Sequence, residues 1–249
     1  MDPNQNSPRL AKLLPEDYQL APELVKRLHS PALIVFEDKV RANVQQMLSY
    51  LGGCADRWRP HLKTTKTPEV WRELVLAGVR NFKCATPKEA SVLAALLDEM
   101  SIRDADLLVA YPLRSPNLDK VARLAERYPD LRLSILSEDP AHAASTPSSL
   151  GVFVDINPEM NRTGVPMGDT AAIAAVARAA QERLRGLHFY DGHVREPGAA
   201  ARQSHAWRLY EGLLGIVRDL QEDALDVEEL ITSGTPAFPY ALSFPGFAG

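Results

Sequence analysis

Short apolar and β-branched runs alternate with longer amphipathic segments along most of the chain, and this alternation constrains the fold more than any other feature. Eight such runs are strand candidates, at residues 32–36, 59–63, 82–85, 106–110, 132–136, 151–156, 186–192 and 229–234. Strands that alternate regularly with helices imply parallel βαβ units. About eight repeats favour a (β/α)8 TIM-type barrel over an open doubly wound sheet. No glycine-rich dinucleotide motif or P-loop follows a strand candidate, which further weakens a nucleotide-binding interpretation.

Two of the intervening helices have clear start signals. Thr67 is placed to cap a helix whose first residue is Pro68, and Gly78 is a stop signal after it. Thr86 is placed to cap the next helix, and Glu89 stands where a capping box needs it. These signals predict that helices follow the second and third strand candidates.

Length, charge and cysteine content limit the possible classes of protein. The chain has 249 residues and a formal net charge of −4, which fits an α/β domain with a proper core. The mildly acidic balance gives no electrostatic reason to expect nucleic acid or an anionic membrane as a partner. We find no signal peptide and no apolar run long enough to span a membrane, so we expect a cytoplasmic protein. Cys54 and Cys84 lie in unrelated contexts, which argues against a disulfide framework or a thiolate metal site.

The segment RPHLKTTK contains two lysines with different predicted roles. If it begins as a barrel strand, alternation directs Leu62 to the helix-covered outer face and directs His61 and Lys63 to the interior. Lys63 would then lie at the carboxyl-terminal mouth, where barrel enzymes build their active sites, whereas Lys66 falls in the following loop. A buried lysine loses much of its proton affinity, and the neutral amine is a nucleophile for carbonyl groups. We therefore predict Schiff-base chemistry at Lys63.

Three further polar groups stand at the ends of later strand candidates. Arg162 lies in a polar turn, Tyr190 and His193 lie in the segment FYDGH, and TSGTP offers the hydroxyls of Ser233 and Thr235 to an anion. Taken singly, each has a plain alternative: a surface arginine, a tyrosine in the barrel wall with a loop histidine, or a tight turn. Together with the lysine they are the parts needed to hold a phosphorylated aldehyde. Pyridoxal phosphate fits better than a sugar phosphate, because the lysine then has a permanent partner.

The lysine segment also resembles a family signature. RPHLKTTK is similar to the R-P-H-x-K-T-H-K motif of the D-threonine aldolase and D-serine dehydratase family, whose members are alanine-racemase-like, fold-type III pyridoxal-phosphate enzymes. The resemblance continues in order through SPALIVF, GVRNFKCATPKEA, LLVAYPL, VDINPEMNRTGV, GLHFYDGH and SGTPAFP. It implies a TIM-type barrel of the alanine racemase N-terminal type.

The resemblance further implies a set of site residues. Lys63 would carry the Schiff base, Arg162 would lie near the phenolic oxygen of the cofactor, and Tyr190 near its pyridine nitrogen. The loop at residues 233–235 would hold the phosphate. The expected catalytic residues are Lys63, His61 and His193, and the expected cofactor-binding residues are Lys63, Arg162, Tyr190, Ser233, Gly234 and Thr235.

Two departures from the family pattern bear on these expectations. Thr65 stands where the signature has its second histidine. Members of the family also continue well beyond the length of this chain, so we expect residues 31–249 to be a truncated barrel domain that lacks its last strand and the C-terminal β domain. Residues 1–30 would be an N-terminal extension, and residues 32–36 would belong with the second domain. In the relatives that domain carries the metal ligands, so a divalent metal and a homodimer are expected only for the full-length form, and we assign no metal ligand in this chain.

The expected function is that of a pyridoxal-phosphate-dependent lyase acting on small D-amino acids. The leading candidate reaction is retro-aldol cleavage of β-hydroxy-D-amino acids to glycine and an aldehyde. D-serine dehydratase-like activity and racemase activity are the alternatives. An alternative of another class is a non-catalytic pyridoxal-phosphate-binding protein or an inactive fragment. A barrel enzyme without pyridoxal phosphate, such as a Schiff-base aldolase on sugar phosphates, is the remaining possibility.

Overall fold

Parallel strands follow one another across one sheet in the computed structural model, which describes residues 18–247. The strands are β1 (Asn81–Cys84), β2 (Asp106–Val109), β3 (Arg132–Ser137), β4 (Gly151–Asn157), β5 (Val165–Pro166), β6 (Leu184–Phe189) and β7 (Glu229–Thr232). Their hydrogen-bonded order is β1-β2-β3-β4-β6-β7, with the short β5 paired to β4, and every pairing is parallel. Each crossover therefore advances to the neighbouring strand, as in a barrel.

Helices separate the strands and cover one face of the sheet. They are α1 (Pro22–Val25), α2 (Glu37–Tyr50), α3 (Pro68–Leu76), α4 (Pro87–Glu99), α5 (Asn117–Arg127), α6 (Pro140–Ser145), α7 (Thr170–Ala180), α8 (Ala199–Glu222) and α9 (Phe238–Leu242). The start signal of α4 is confirmed, because the Thr86 side chain accepts a hydrogen bond from the Glu89 N–H. Thr67 does begin α3, but its hydroxyl donates to the Thr65 carbonyl at 2.7 Å and makes no capping bond. Within the described range no helix is long and apolar enough to cross a membrane.

Alternate strand residues face two separate apolar layers. On β4, Val154 packs among helical residues on the outer face. Phe153, its neighbour, belongs to an inner cluster with Leu108, Leu136 and Ile231. The sheet is thus curved into a half-barrel with its own interior. The predicted parallel α/β barrel class is confirmed in this form, with β1 and β7 at the two edges of the sheet.

A cluster of charged side chains, three of them buried, lies at the amino ends of the strands. Asp106, the first residue of β2, lies 2.7 Å from Arg59 Nη1 and 2.9 Å from Arg185 Nη2. Arg59 also contacts Glu229 on β7 at 2.7 Å, and Arg185 on β6 contacts Glu228 at 2.8 Å. These five residues, which we call the amino-end ion cluster, link the segment before Lys63 to strands on both sides of the half-barrel.

Two of the predicted strands are corrected by the structure. Residues 59–63 contribute only an isolated parallel bridge between His61 and Lys83, after which the chain enters a 3-10 turn at Leu62–Thr64. The turn is stabilised locally, since the Thr64 hydroxyl donates to the His61 carbonyl at 3.1 Å, and β1 ends one residue beyond the bridge. A longer strand would have had no partner backbone to bind.

Residues 32–36 form no strand, and Leu33 is 80% exposed. No described strand lies beside the segment to pair with its backbone, and its assignment to a second domain stays a prediction. The predicted extension at residues 1–30 falls partly outside the described residues, which begin at Tyr18.

Candidate active site at the carboxyl ends of the strands

The Lys63 side chain is exposed at the carboxyl end of the half-barrel, in the turn that follows the His61 bridge. The prediction of a buried, inward-facing lysine is therefore wrong, because the chain leaves the strand direction at Leu62. Leu62 is 1% exposed and packs in the helix-facing core, as alternation predicted. His61 is half-buried, and its Nδ1 lies 3.4 Å from the Lys63 N–H. Burial, together with the charges of Lys83 and Lys63, lowers the pKa of His61 to about 3. His61 is therefore a neutral imidazole beside the lysine at neutral pH.

Arg162 and Tyr190 meet above the end of β4. The Arg162 guanidinium lies 4.9 Å from the centroid of the Tyr190 ring, within the range of a cation–π contact. The Arg162 loop is shaped by a tight turn in which the Asn157 side chain accepts from the Asn161 N–H at 2.9 Å. Asn161 has a φ of +55°, a conformation that asparagine tolerates better than most residues. The turn thus places the Arg162 guanidinium over the Tyr190 ring.

The loop after β7 packs against the same tyrosine. A Cβ added at Gly234 would lie 3.1 Å from the Tyr190 ring, so any larger residue here would press against the ring. The Gly234 N–H donates to Asp191 Oδ1 at 2.8 Å, and the Tyr210 hydroxyl donates to Asp191 Oδ2 at 2.6 Å. Ser233 has a φ of +66°, and its hydroxyl lies 3.3 Å from that of Thr232. A buried carboxylate therefore holds the loop in place and occupies one of its backbone donors.

His193 lies in a different part of the mouth. Its ring is edge-on to that of His205, with centroids 5.3 Å apart, and His205 contacts Glu196 at 2.5 Å. Both ring nitrogens of His193 are buried and have no hydrogen-bond partner among the described residues. Burial lowers the pKa of His193, so this ring is also neutral at neutral pH. The structure groups His193 with His205 rather than with the lysine segment.

Sequence reasoning missed three buried polar residues beneath the mouth. Lys83 on β1 has its Nζ 3.2 Å from His188 Nε2 on β6, and His188 Nδ1 lies 2.7 Å from Asp155 Oδ1 on β4. Lys83 Nζ also lies 5.8 Å from the centroid of the Tyr190 ring. Burial and the neighbouring charge of Lys63 lower the pKa of Lys83 to about 8. Each of the three is flanked on its strand by buried apolar residues, which is the signal that could have identified them.

The predicted site residues thus fall into two groups. Electrostatic interactions link Lys63, His61 and Arg162 to Lys83, and Tyr190 contacts both Arg162 and Lys83. The loop at residues 233–235 joins this group through its packing against Tyr190, whereas His193 stands apart. An exposed amine, a neutral imidazole, a guanidinium over an aromatic ring and a loop with two hydroxyls therefore all lie at the carboxyl ends of the strands.

Comparison with protein families gives a match over most of the chain. Residues 35–239 match the family described as alanine racemase, N-terminal domain. The D-threo-3-hydroxyaspartate dehydratase of Delftia sp. (strain HT23) is 26% identical over 189 residues, which cover 74% of this chain and 45% of the relative. The 3-hydroxy-D-aspartate aldolase of Paracoccus denitrificans is 26% identical over 193 residues, which cover 72% of this chain and 48% of the relative. The chain thus spans about half the length of these relatives, and both are named for lyase reactions.

Solved structures share the fold. The D-threonine aldolase from Filomicrobium marinum superposes with a TM-score of 0.75 at 24% identity, covering 87% of this chain and 60% of that one. The D-threo-3-hydroxyaspartate dehydratase from Delftia sp. HT23 superposes with a TM-score of 0.71 at 23% identity, covering 88% of this chain and 57% of that one. At these identities the superpositions show a common fold.

Proposed function

The chain belongs to the family of the alanine racemase N-terminal domain, as its motifs indicated, and we propose that it is the pyridoxal-phosphate-binding barrel of a lyase that acts on small β-hydroxy D-amino acids. The observation that carries the proposal is that the exposed Lys63 amine and the Arg162–Tyr190 pair both interact with Lys83 at the carboxyl ends of the strands. Parallel α/β barrels build their active sites at this end. Relatives named as a dehydratase and an aldolase of 3-hydroxyaspartate support the substrate class.

The residues at the mouth fit pyridoxal phosphate in their chemistry. Lys63 would hold the aldehyde carbon, and the hydroxyls of Ser233 and Thr235 would take the phosphate. The Gly234 N–H is engaged by Asp191, so the proposed cradle relies on these hydroxyls unless that bond opens. Arg162, over the tyrosine ring, would face the phenolic oxygen. When bound, the cofactor supplies an electron sink for negative charge at the substrate Cα.

The two histidines have separate proposed roles. His61, neutral and adjacent to Lys63, has a pKa of about 3 and is therefore a weak base at neutral pH, so we propose that it orients the lysine segment by accepting from the Lys63 N–H. We propose that His193 accepts the proton of the substrate hydroxyl, which requires its two buried ring nitrogens to become accessible, since they lie apart from the lysine segment in this structure. Loss of that proton is the step that cleavage between Cα and Cβ requires. We therefore propose retro-aldol cleavage to glycine and an aldehyde as the leading reaction.

Dehydration is the second candidate, favoured by the name of the Delftia relative. In that reaction the hydroxyl leaves as water to give an enamine, and water then hydrolyses its imine tautomer to ammonia and a 2-oxo acid. We propose that a divalent metal and a homodimer belong to a longer form of the protein. Among residues 18–247 no group of three or more His, Cys, Asp or Glu side chains is arranged to hold a metal ion.

Absorbance of the cofactor-loaded chain tests the lysine assignment. We expect the visible band of a Schiff base in the wild-type chain and in Lys66→Ala, and its loss in Lys63→Ala. Lys66 is the matched control, because it lies three residues away on the same turn and is also exposed. A band that survives Lys63→Ala and disappears in Lys66→Ala would refute the assignment.

Product analysis then separates the reactions. The loaded chain is incubated with D-threonine, D-serine or D-threo-3-hydroxyaspartate, with and without a divalent metal. Glycine together with an aldehyde indicates aldolase activity, and ammonia together with a 2-oxo acid indicates dehydratase activity. Cofactor binding without turnover of any of the three would favour the non-catalytic alternative.

A further inference from the structure

Lys83 is a buried amine that the proposed reaction leaves unused. Its residue is 7% exposed, and the hydrogen bond to His188 Nε2 at 3.2 Å is its closest polar side-chain contact. The ammonium also lies 5.8 Å from the centroid of the Tyr190 ring, directly below the proposed site. A buried ammonium depends strongly on the groups around it, because water no longer screens or solvates its charge.

Asp155 determines how His188 meets the lysine. Its Oδ1 lies 2.7 Å from His188 Nδ1, and burial together with the charge of Lys83 lowers the pKa of His188. A carboxylate only accepts hydrogen bonds, so the neutral imidazole donates its Nδ1–H to Asp155 and presents the Nε2 lone pair to Lys83. Lys83 is thereby the donor in its contact with His188. The second carboxylate oxygen of Asp155 is buried and has no partner among the described residues.

Charged groups from several elements act on Lys83, and three of them are cations whereas one is a carboxylate. Asp155 on β4 favours the charged amine, whereas burial, Lys63, Arg59 and Arg162 oppose it. The remaining titratable neighbours are the neutral rings of His61 and His188 and the phenol of Tyr190. With its pKa lowered to about 8, Lys83 can exchange its proton near neutral pH.

We propose that Lys83, His188 and Asp155 form a proton-holding unit whose charge is coupled to the charge of Lys63. When Lys63 loses its positive charge, one of the charges that oppose the Lys83 ammonium is removed, so the pKa of Lys83 rises and Lys83 keeps its proton at neutral pH. Lys83 is a positioning residue in this scheme, because it acts through the field at Lys63 and Tyr190. The inference rests on the proposed function in one respect, because Schiff-base formation is what would change the charge of Lys63. The coupling itself is a property of the cofactor-free chain.

The titration of Lys83 tests the coupling directly. The chain is labelled with 13C at lysine Cε and titrated by NMR without cofactor, and the Lys83 signal is assigned by its loss in Lys83→Met. We expect a pKa of about 8 in the wild type, an upward shift in Lys63→Met and a downward shift in Asp155→Asn. Lys66→Met is the matched control and is expected to leave the Lys83 titration unchanged.

Each remaining outcome overturns part of the inference. An unchanged Lys83 titration in Lys63→Met, or an equal shift in Lys66→Met, overturns the coupling. Titration of Lys83 at the ordinary lysine value of 10.5 overturns the proton-holding unit as a whole. Lys63 is exposed, so its variant decides the question even if the buried Asp155→Asn substitution prevents folding. Failure of the proposed function would instead appear as a missing Schiff-base band, which is measured separately.

Discussion

Neutralising Asp106 is expected to destabilise the half-barrel by about 3 kcal/mol. Its carboxylate is 8% exposed and accepts from two arginines whose side chains are 6% and 10% exposed. Removing one partner of a buried ion pair costs about 3–5 kcal/mol, mostly because a charge is left uncompensated. We expect the lower end of this range of unfolding free energies for Asp106→Asn. Arg59 retains its ion pair with Glu229, Arg185 retains its ion pair with Glu228, and the amide oxygen can still accept one hydrogen bond.

Asp223→Asn is the matched control for this substitution. Asp223 contacts Arg178 at 2.5 Å, but the two side chains are 44% and 55% exposed. An exposed ion pair contributes about 0–1 kcal/mol and is weakened by salt. The two variants therefore remove the same charge from an arginine–aspartate contact and differ mainly in burial.

Urea denaturation at low and high salt gives the free energy of unfolding of both variants and the wild type. We expect a large loss for Asp106→Asn that changes little with salt, and a small loss for Asp223→Asn that disappears at high salt. Arg59 lies four residues before Lys63, so the same variant is also expected to weaken cofactor binding. Equal losses in the two variants would refute the view that the amino-end ion cluster stabilises the half-barrel through buried charge.

Three further perturbations test the packing and electrostatics around the site. Gly186→Ala is expected to cost about 3 kcal/mol in urea denaturation, because a Cβ would lie 1.9 Å from a carbonyl oxygen of β7; Gly168→Ala, with no atom within 4 Å, is expected to be close to neutral. The pKa of His61 is about 3 in the folded chain against 6.5 for a free side chain, so the unfolded chain binds more protons between these values and stability falls as the pH drops through this window. His61→Gln is expected to remove roughly 2 kcal/mol of this acid-induced loss, after allowance for the partial exposure of the ring, as measured by urea unfolding at neutral and acidic pH. Tyr210→Phe is expected to cost about 1–3 kcal/mol and to weaken cofactor binding, measured by denaturation and by absorbance titration, because the buried Asp191 carboxylate loses its 2.6 Å donor.

The strand and helix pattern was largely readable from the sequence, because most strands are buried on both faces and bounded by turn residues. Six of the predicted strands have counterparts in the sheet, and the cap at Thr86 reflects a local interaction that depends on neighbouring residues alone. Residues 59–63 were predicted too long, because the length of a strand depends on its partner and β1 ends one residue after the His61 bridge. That information lies more than twenty positions along the chain and has no local signal.

The same limit explains why the lysine at the mouth was found and the lysine beneath it was not. Lys63 belongs to a distinctive segment, whereas Lys83, Asp155 and His188 are single polar residues within apolar strands. Alternation alone would have directed all three to the interior, because their strand neighbours pack against helices on the outer face. It could not have shown that they meet, since β1 is separated from β4 and β6 by other strands and only the curvature of the sheet brings them together. A polar residue inside an apolar strand of a curved sheet is therefore best interpreted together with the polar residues of other strands. Those at the same level along the barrel axis are the ones that it can contact.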